Sequence, residues 1–166
     1  YDIQYTTLPN GDSPLLGQQV YTKGIVTAFY SSGFFIQDGT GPWSGLYIHN
    51  NTNTVAIGDS VILAGTVAEY FNNTQLTQIT VFQKLGVGTV PAPTIITTAQ
   101  VNTEAYEGVL VKVLNATCTN PTAGFGMFEV NDGSGVCKVD KLIYEFTATL
   151  NTKYDVTGPV YFSFDY

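Results

Sequence analysis

What most constrains this chain is its punctuation. Short runs of β-branched and aromatic residues are broken every few positions by Gly, Asn, Asp or Pro, and no apolar pattern with a period of about 3.6 persists for long. A chain written this way cannot build helices that bury one another, so it must pair strands, and the frequent turns make those strands neighbours. One helical turn fits, near Thr98 to Val101. The 166 residues suffice for two small cores. At 44% hydrophobic and 11% charged, the chain can bury enough apolar surface to fold.

The segment Val20 to Tyr30 carries a central Gly24, and Ser60 to Tyr70 carries Gly65, placements that let a long strand bend sharply at a barrel corner. Between them, Ser31-Ser32-Gly33 turns into Phe34-Phe35-Ile36-Gln37, and Asp38-Gly39 turns back towards Gly45-Leu46-Tyr47-Ile48-His49. That is a three-stranded meander. After the Asn72-Asn73 turn, a fifth strand is expected from about Thr74 through Phe82, which gives the strand count of a small Greek-key barrel. Pro91-Ala92-Pro93 then reads as a stiff linker between a first domain, residues 1–92, and a second, residues 93–166.

The second half repeats the pattern. Gly108 to Thr117 matches the first strand, Met127 to Val130 the second, and Asp132-Gly133-Ser134-Gly135 the turn Asp38-Gly39-Thr40-Gly41. Gly65 recurs as Gly158 at nearly the same offset, whereas Gly24 recurs as Gly108 at an offset shorter by about ten, which places an insertion in the loop Asn120 to Gly124. The strand through Gly158-Pro159-Val160 is the fourth of this copy, and no fifth follows it before Tyr166. The expected fold is therefore all-β: two tandem five-stranded Greek-key barrels, the second lacking its last strand.

A family resemblance covers nearly the whole chain. Asp2-Ile3-Gln4-Tyr5, Gly11-Asp12-Ser13-Pro14 and Gly24-Ile25-Val26-Thr27-Ala28 resemble the opening of OB-like domains in secreted bacterial and archaeal proteins. Phe34 to Gly39, Gly58 to Val61 and Gly65 to Tyr70 continue the match. Domains of this type sit beside extracellular nucleases and in large surface proteins. The resemblance implies OB-like barrels and an extracellular, cell-surface location.

Charge bears on the partner. All six basic residues are lysines against thirteen carboxylates, for a formal charge of −7, so phosphate is repelled and the side chain best shaped for bidentate phosphate contact is missing. Nucleic acid is disfavoured, while a glycan stays open. No apolar run is long enough to span a bilayer as a helix, so no membrane insertion is expected. Asn50, Asn72 and Asn115 each begin an Asn-X-Thr triplet and are glycosylation candidates. Cys118 and Cys137 lie close enough in sequence to staple one hairpin region, and an oxidising compartment would pair them in a disulfide.

Catalysis needs convergent titratable groups, and this inventory is thin. His49 is the only histidine and ends a strand beside a turn. Asp12, Asp38 and Asp132 lie in Gly-containing loops without calcium-loop spacing, so they read as turn caps, and no metal or cofactor is expected. Trp43 and Tyr47, with Phe34 and Phe35, are the candidates for a stacking platform under bases or sugars.

The expected function is a non-catalytic structural or adhesive module that assembles head-to-tail with copies of itself. The alternative is an accessory nucleic-acid- or glycan-binding segment of a secreted nuclease or hydrolase. In the first reading Tyr1, Ile3 and Tyr5 alternate along a donor strand, and the acceptor seam runs beside Val160, Phe162 and Phe164 of a neighbour.

Overall fold

The computed structural model describes residues 1–162. It is an all-β molecule with two five-stranded sheets. The first holds β1 (Gln19–Tyr30), β2 (Gly33–Gln37), β3 (Gly45–His49), β4 (Asp59–Tyr70) and β5 (Asn73–Val87). Their order is β1-β2-β3-β5-β4, and because β1 pairs with β4 along its first half and with β2 along its second, the sheet closes into a barrel. Ile25, at the changeover, faces both Gln37 and Ser60. Gly24 makes this corner: a Cβ there would stand 3.0 Å from the Ile36 Cβ. Gly65 makes the other, where β4 slips register against β5 and a Cβ would meet the Thr77 carbonyl oxygen at 2.6 Å. Val26, Phe34, Ile48, Leu63 and Leu76 meet in the interior, joined by Ile3 from the N-terminal segment.

The second sheet holds β6 (Thr94–Ile95), β7 (Leu110–Asn120), β8 (Phe128–Asn131), β9 (Val136–Val139) and β10 (Lys153–Pro159). Its path β10-β7-β8-β9 repeats the antiparallel path β4-β1-β2-β3 of the first, so four strands of the expected duplication are present in both halves. The two-residue β6, which the sequence pattern did not reveal, runs parallel to the start of β7. Between β7 and β8 lies the longer loop of the second copy. A separate core gathers Ile96, Val111, Val113, Phe128 and Val130. Among the described residues, no strand joins β9 to β10, so this sheet stays open where β5 closes the first.

The expected helical turn is present as α1 (Thr98–Val101). Thr97 caps it by accepting from the Gln100 amide, and Gln100 reaches back to the Thr97 amide, a capping box. Thr98 anchors the turn to the second sheet: its hydroxyl donates to Asp132 at 2.7 Å, and its amide donates to the other Asp132 oxygen.

The halves meet backbone to backbone. A Cβ on Gly45 would lie 2.1 Å from the Gly108 carbonyl carbon, and Gly108 itself has φ +71°. Hydrogen bonds cross beside this contact. The Leu110 amide donates to Gln37 Oε1 at 2.8 Å, the Trp43 amide to the Ala105 carbonyl at 2.7 Å, and the Gly41 amide to Thr94 Oγ1 at 3.0 Å. Gly45→Ala should therefore lower stability by about 2–3 kcal/mol in urea unfolding, through overpacking at the junction. Gly39→Ala, whose Cβ would meet only the Ser44 Cβ at 4.0 Å, should cost under about 1 kcal/mol.

Candidate functional site

The residues with perturbed chemistry collect where the halves join. The chain leaves α1, makes a 3-10 turn at Glu104–Tyr106, and reaches Glu107 immediately before the glycine contact, so the backbone crossing carries Glu107 into the interior. Glu107 Oε1 accepts from the Thr74 amide at 2.8 Å and from Gln4 Nε2 at 3.2 Å. Burial pushes its carboxyl well above the usual glutamate range, and Glu104 and Glu69 push it further. Glu104 is raised to about 7 by burial, then by the charges of Glu69 and Asp12. Glu69, at the end of β4, is raised by burial while accepting from the Ser13 amide and the Thr74 hydroxyl. Nothing in the sequence pattern marked these carboxylates, because they converge only after the halves dock. Among the described residues, no group of three or more His, Cys, Asp or Glu is placed to hold a metal ion.

An aromatic cluster lies on another side of the junction. Tyr161 follows β10 and sets its ring 5.0 Å from Tyr47 and 5.9 Å from Phe35, while the Tyr30 and Tyr47 hydroxyls are hydrogen-bonded at 2.8 Å. Burial pushes the Tyr47 phenol up to about 12. This arrangement corrects the stacking platform. Tyr47, Phe34 and Phe35 are buried, and Tyr47 is covered by Tyr161 of the same chain. Trp43 is half-buried elsewhere, edge-on to Tyr5 at 5.6 Å.

Two clefts flank the opening of the second sheet and share Asp140, Leu142 and Tyr161. The larger, about 1120 Å³, runs between β9 and the N-terminal loop, past Trp43 and Glu104. The smaller, about 490 Å³, lies between β10 and the first barrel, lined by Ala28, Tyr30, Phe35, Phe146 and Tyr154. Leu142, Ile143 and Tyr144 stand at its mouth with large exposed apolar side chains. The edge at β9 is partly capped, since Asn102 Nδ2 donates to the Val136 carbonyl at 2.8 Å. The outer edge of β10 has no strand partner among the described residues. Chemically, this arrangement offers an unpaired backbone edge beside an apolar, aromatic cleft.

The expected donor strand is not extended. Tyr1 to Gln4 form a turn on the chain's own barrel, with the Gln4 and Tyr5 amides donating to the Tyr1 carbonyl. Ile3 is buried in the first core, whereas Tyr1 and Tyr5 are exposed and stack on each other at 5.2 Å. Of the acceptor candidates, Val160 is already in use: its amide donates to the Val109 carbonyl and its carbonyl accepts from the Gly108 amide. The Phe162 amide donates to Asn73 Oδ1 at 3.3 Å, and Phe164 lies outside the described residues. His49 is exposed at the end of β3. Asp132 caps its turn as expected, accepting from Ser134 and Thr98, and these hydrogen bonds hold its carboxyl well below the usual range. Asn72 and Asn115 are exposed, while Asn50 is half-buried and accepts from the Thr52 and Asn53 amides in its own turn.

The expected disulfide is also overturned. Cys118 on β7 and Cys137 on β9 both face Val130 of the strand between them, and both are buried free thiols. Two strand spacings separate their backbones by about 10 Å, beyond the span a disulfide bridges. The strand expected at Met127 to Val130 is this intervening β8, and it holds the two cysteines apart. Burial, helped by the Asp132 charge, pushes the Cys137 thiol up to about 12, so it is inert as a nucleophile. Alkylation without reductant should therefore label both cysteines in denaturant and neither in the folded protein, as read by intact mass.

No protein-family model, curated protein or solved structure shows a significant match to this chain.

Proposed function

We propose that the chain is a non-catalytic structural module of the cell exterior, built on two OB-like units, whose open second sheet is completed by an extended segment from another copy. One observation carries this reading. The same four-strand path occurs twice, and the first copy fills its gap with β5, parallel to β3 and antiparallel to β4, while among the described residues no strand fills the corresponding gap of the second. The strand order of the first barrel, with β1 shared between two neighbours, supports the OB-like description.

A strand added along β10 would satisfy its unpaired N–H and C=O groups, and the aromatic cleft beside it would take alternate side chains of the guest. The segment Tyr1 to Leu8 is not the donor in this arrangement, because Ile3 and Gln4 are already engaged within their own chain. A contact between one copy's gap and a different surface of the next is heterologous, so it propagates into a filament unless the rotation closes a ring. The extracellular location rests on the family resemblance and on the exposed Asn72 and Asn115, the disulfide having been withdrawn.

Sedimentation velocity over a concentration series tests the proposal. The wild-type chain should form species larger than monomer as concentration rises. Thr157→Lys places a charge at an exposed position of β10 and should leave the fold intact while abolishing assembly. A wild type that stays monomeric at its solubility limit, or a T157K variant that assembles equally well, would refute strand completion.

A further inference from the structure

The junction holds an unusual pair of buried atoms. Gln4 is 2% exposed and Glu107 1%, and one hydrogen bond joins them, from Gln4 Nε2 to Glu107 Oε1. The remaining oxygen of each, Gln4 Oε1 and Glu107 Oε2, is buried without a partner. If Glu107 were ionised, both would be orphaned acceptors, an arrangement that costs the full desolvation penalty of each group, the more so for a charged one. One proton on Glu107 Oε2 removes both defects. The acid and the amide then bond reciprocally, amide N–H to one carboxyl oxygen and carboxyl O–H to the amide carbonyl, while Oε1 keeps its bond from the Thr74 amide.

We propose that Glu107 is held as a neutral acid clasping Gln4, and that its ionisation releases the N-terminal segment from the junction. The charged neighbours favour the proton, as burial does, and together these outweigh the hydrogen bonds from Gln4 and the Thr74 amide, which favour the charge. Glu104 faces Glu107 from its own turn, Glu69 from the end of β4, and Asp12, from the N-terminal loop, acts on both of those carboxylates. The Tyr161 phenol is the remaining titratable neighbour, and burial keeps it neutral. No lysine is among the groups that shift Glu107. Gln4 is continuous with Ile3, which plugs the first core, and with Thr6 and Leu8, which wall the larger cleft. Opening the clasp therefore frees a core plug and widens the β9 side of the opening. This inference does not depend on the assembly reading.

The sign follows from the direction of the shifts. Carboxyls raised on folding contribute stability that is full below the ordinary glutamate range and is lost as pH rises through the raised values. Glu104, at about 7, puts part of that loss near neutrality, and Glu107 adds a loss of the same sign.

The test follows thermal melting and amide-exchange protection of the full chain between about pH 5 and about pH 9. Wild type should melt lower as pH rises, and protection within Tyr1 to Leu8 should fall at least about tenfold. Glu107→Gln supplies a permanent amide donor to Gln4 Oε1. It should flatten the exchange response, reduce the melting slope to the part Glu104 contributes near neutrality, and melt about 5 °C above wild type at the alkaline end. Glu104→Gln should remove the part of the melting slope near neutrality and, by taking away a charge that raises Glu107, move the exchange response to lower pH without abolishing it. A wild-type pH slope in E107Q would overturn the proposal. If E107Q does not fold, infrared spectra of glutamate-labelled E104Q decide the matter, since Glu104 no longer contributes: a protonated carboxyl band persisting at about pH 6 supports the clasp, and its absence there overturns it.

Discussion

The structure depends on one close approach. Where Gly45 opens β3 and Gly108 precedes β7, two backbones lie so near that no side chain fits between them. That contact makes the halves one body, and it fixes much else by position. It brings the Leu110 amide to Gln37, places Glu107, the residue before Gly108, under the N-terminal segment, and directs the chain after β10 so that Tyr161 covers Tyr47. Groups that would be ordinary on separate halves become buried and coupled once the halves share this wall.

The same contact explains which parts of the molecule were legible in the sequence. Strands, corners and turns are local matters, so Gly24, Gly65, the Asp38 and Asp132 turns and the capped turn at Thr98 could be read from neighbours in the chain. The duplicated four-strand path was legible because its landmarks recur in order. Pairings between distant elements were not. Cys118 and Cys137 are close in sequence and the strand between them was expected, but their spacing alone does not convey that β8 pairs with both of their strands and keeps them apart. Tyr1 to Leu8 alternates like a strand, yet Ile3 gains more by entering the first core, and the chain turns to let it. Glu107 carried no signal at all, since its burial is decided by residues from the N-terminus and β5.

The two halves also show how one path can serve two purposes. In the first, β5 completes the barrel and Tyr161 packs against Tyr30, Phe35 and Tyr47 of β1, β2 and β3, which removes Phe35 and Tyr47 as a ligand surface. In the second, the same path is left unfinished, and the two clefts border the gap. Free edges are generally guarded in soluble proteins. Here β9 is guarded by Asn102, whereas β10 is left facing a cleft with apolar walls. That difference is why the reading advanced above looks to β10 for a partner.

The claim on which the rest turns is that the halves form a single body through the glycine contact, and amide exchange at the junction tests it most directly. The amides of Thr74, Gly108 and Leu110 donate across or beside the contact. If the account is right, they are protected as strongly as the core amides of β1 and β7, because only global unfolding exposes them. Exchange at the rate of the exposed residues 142–145, with the strands of both sheets still protected, would show two halves that move independently and would contradict it.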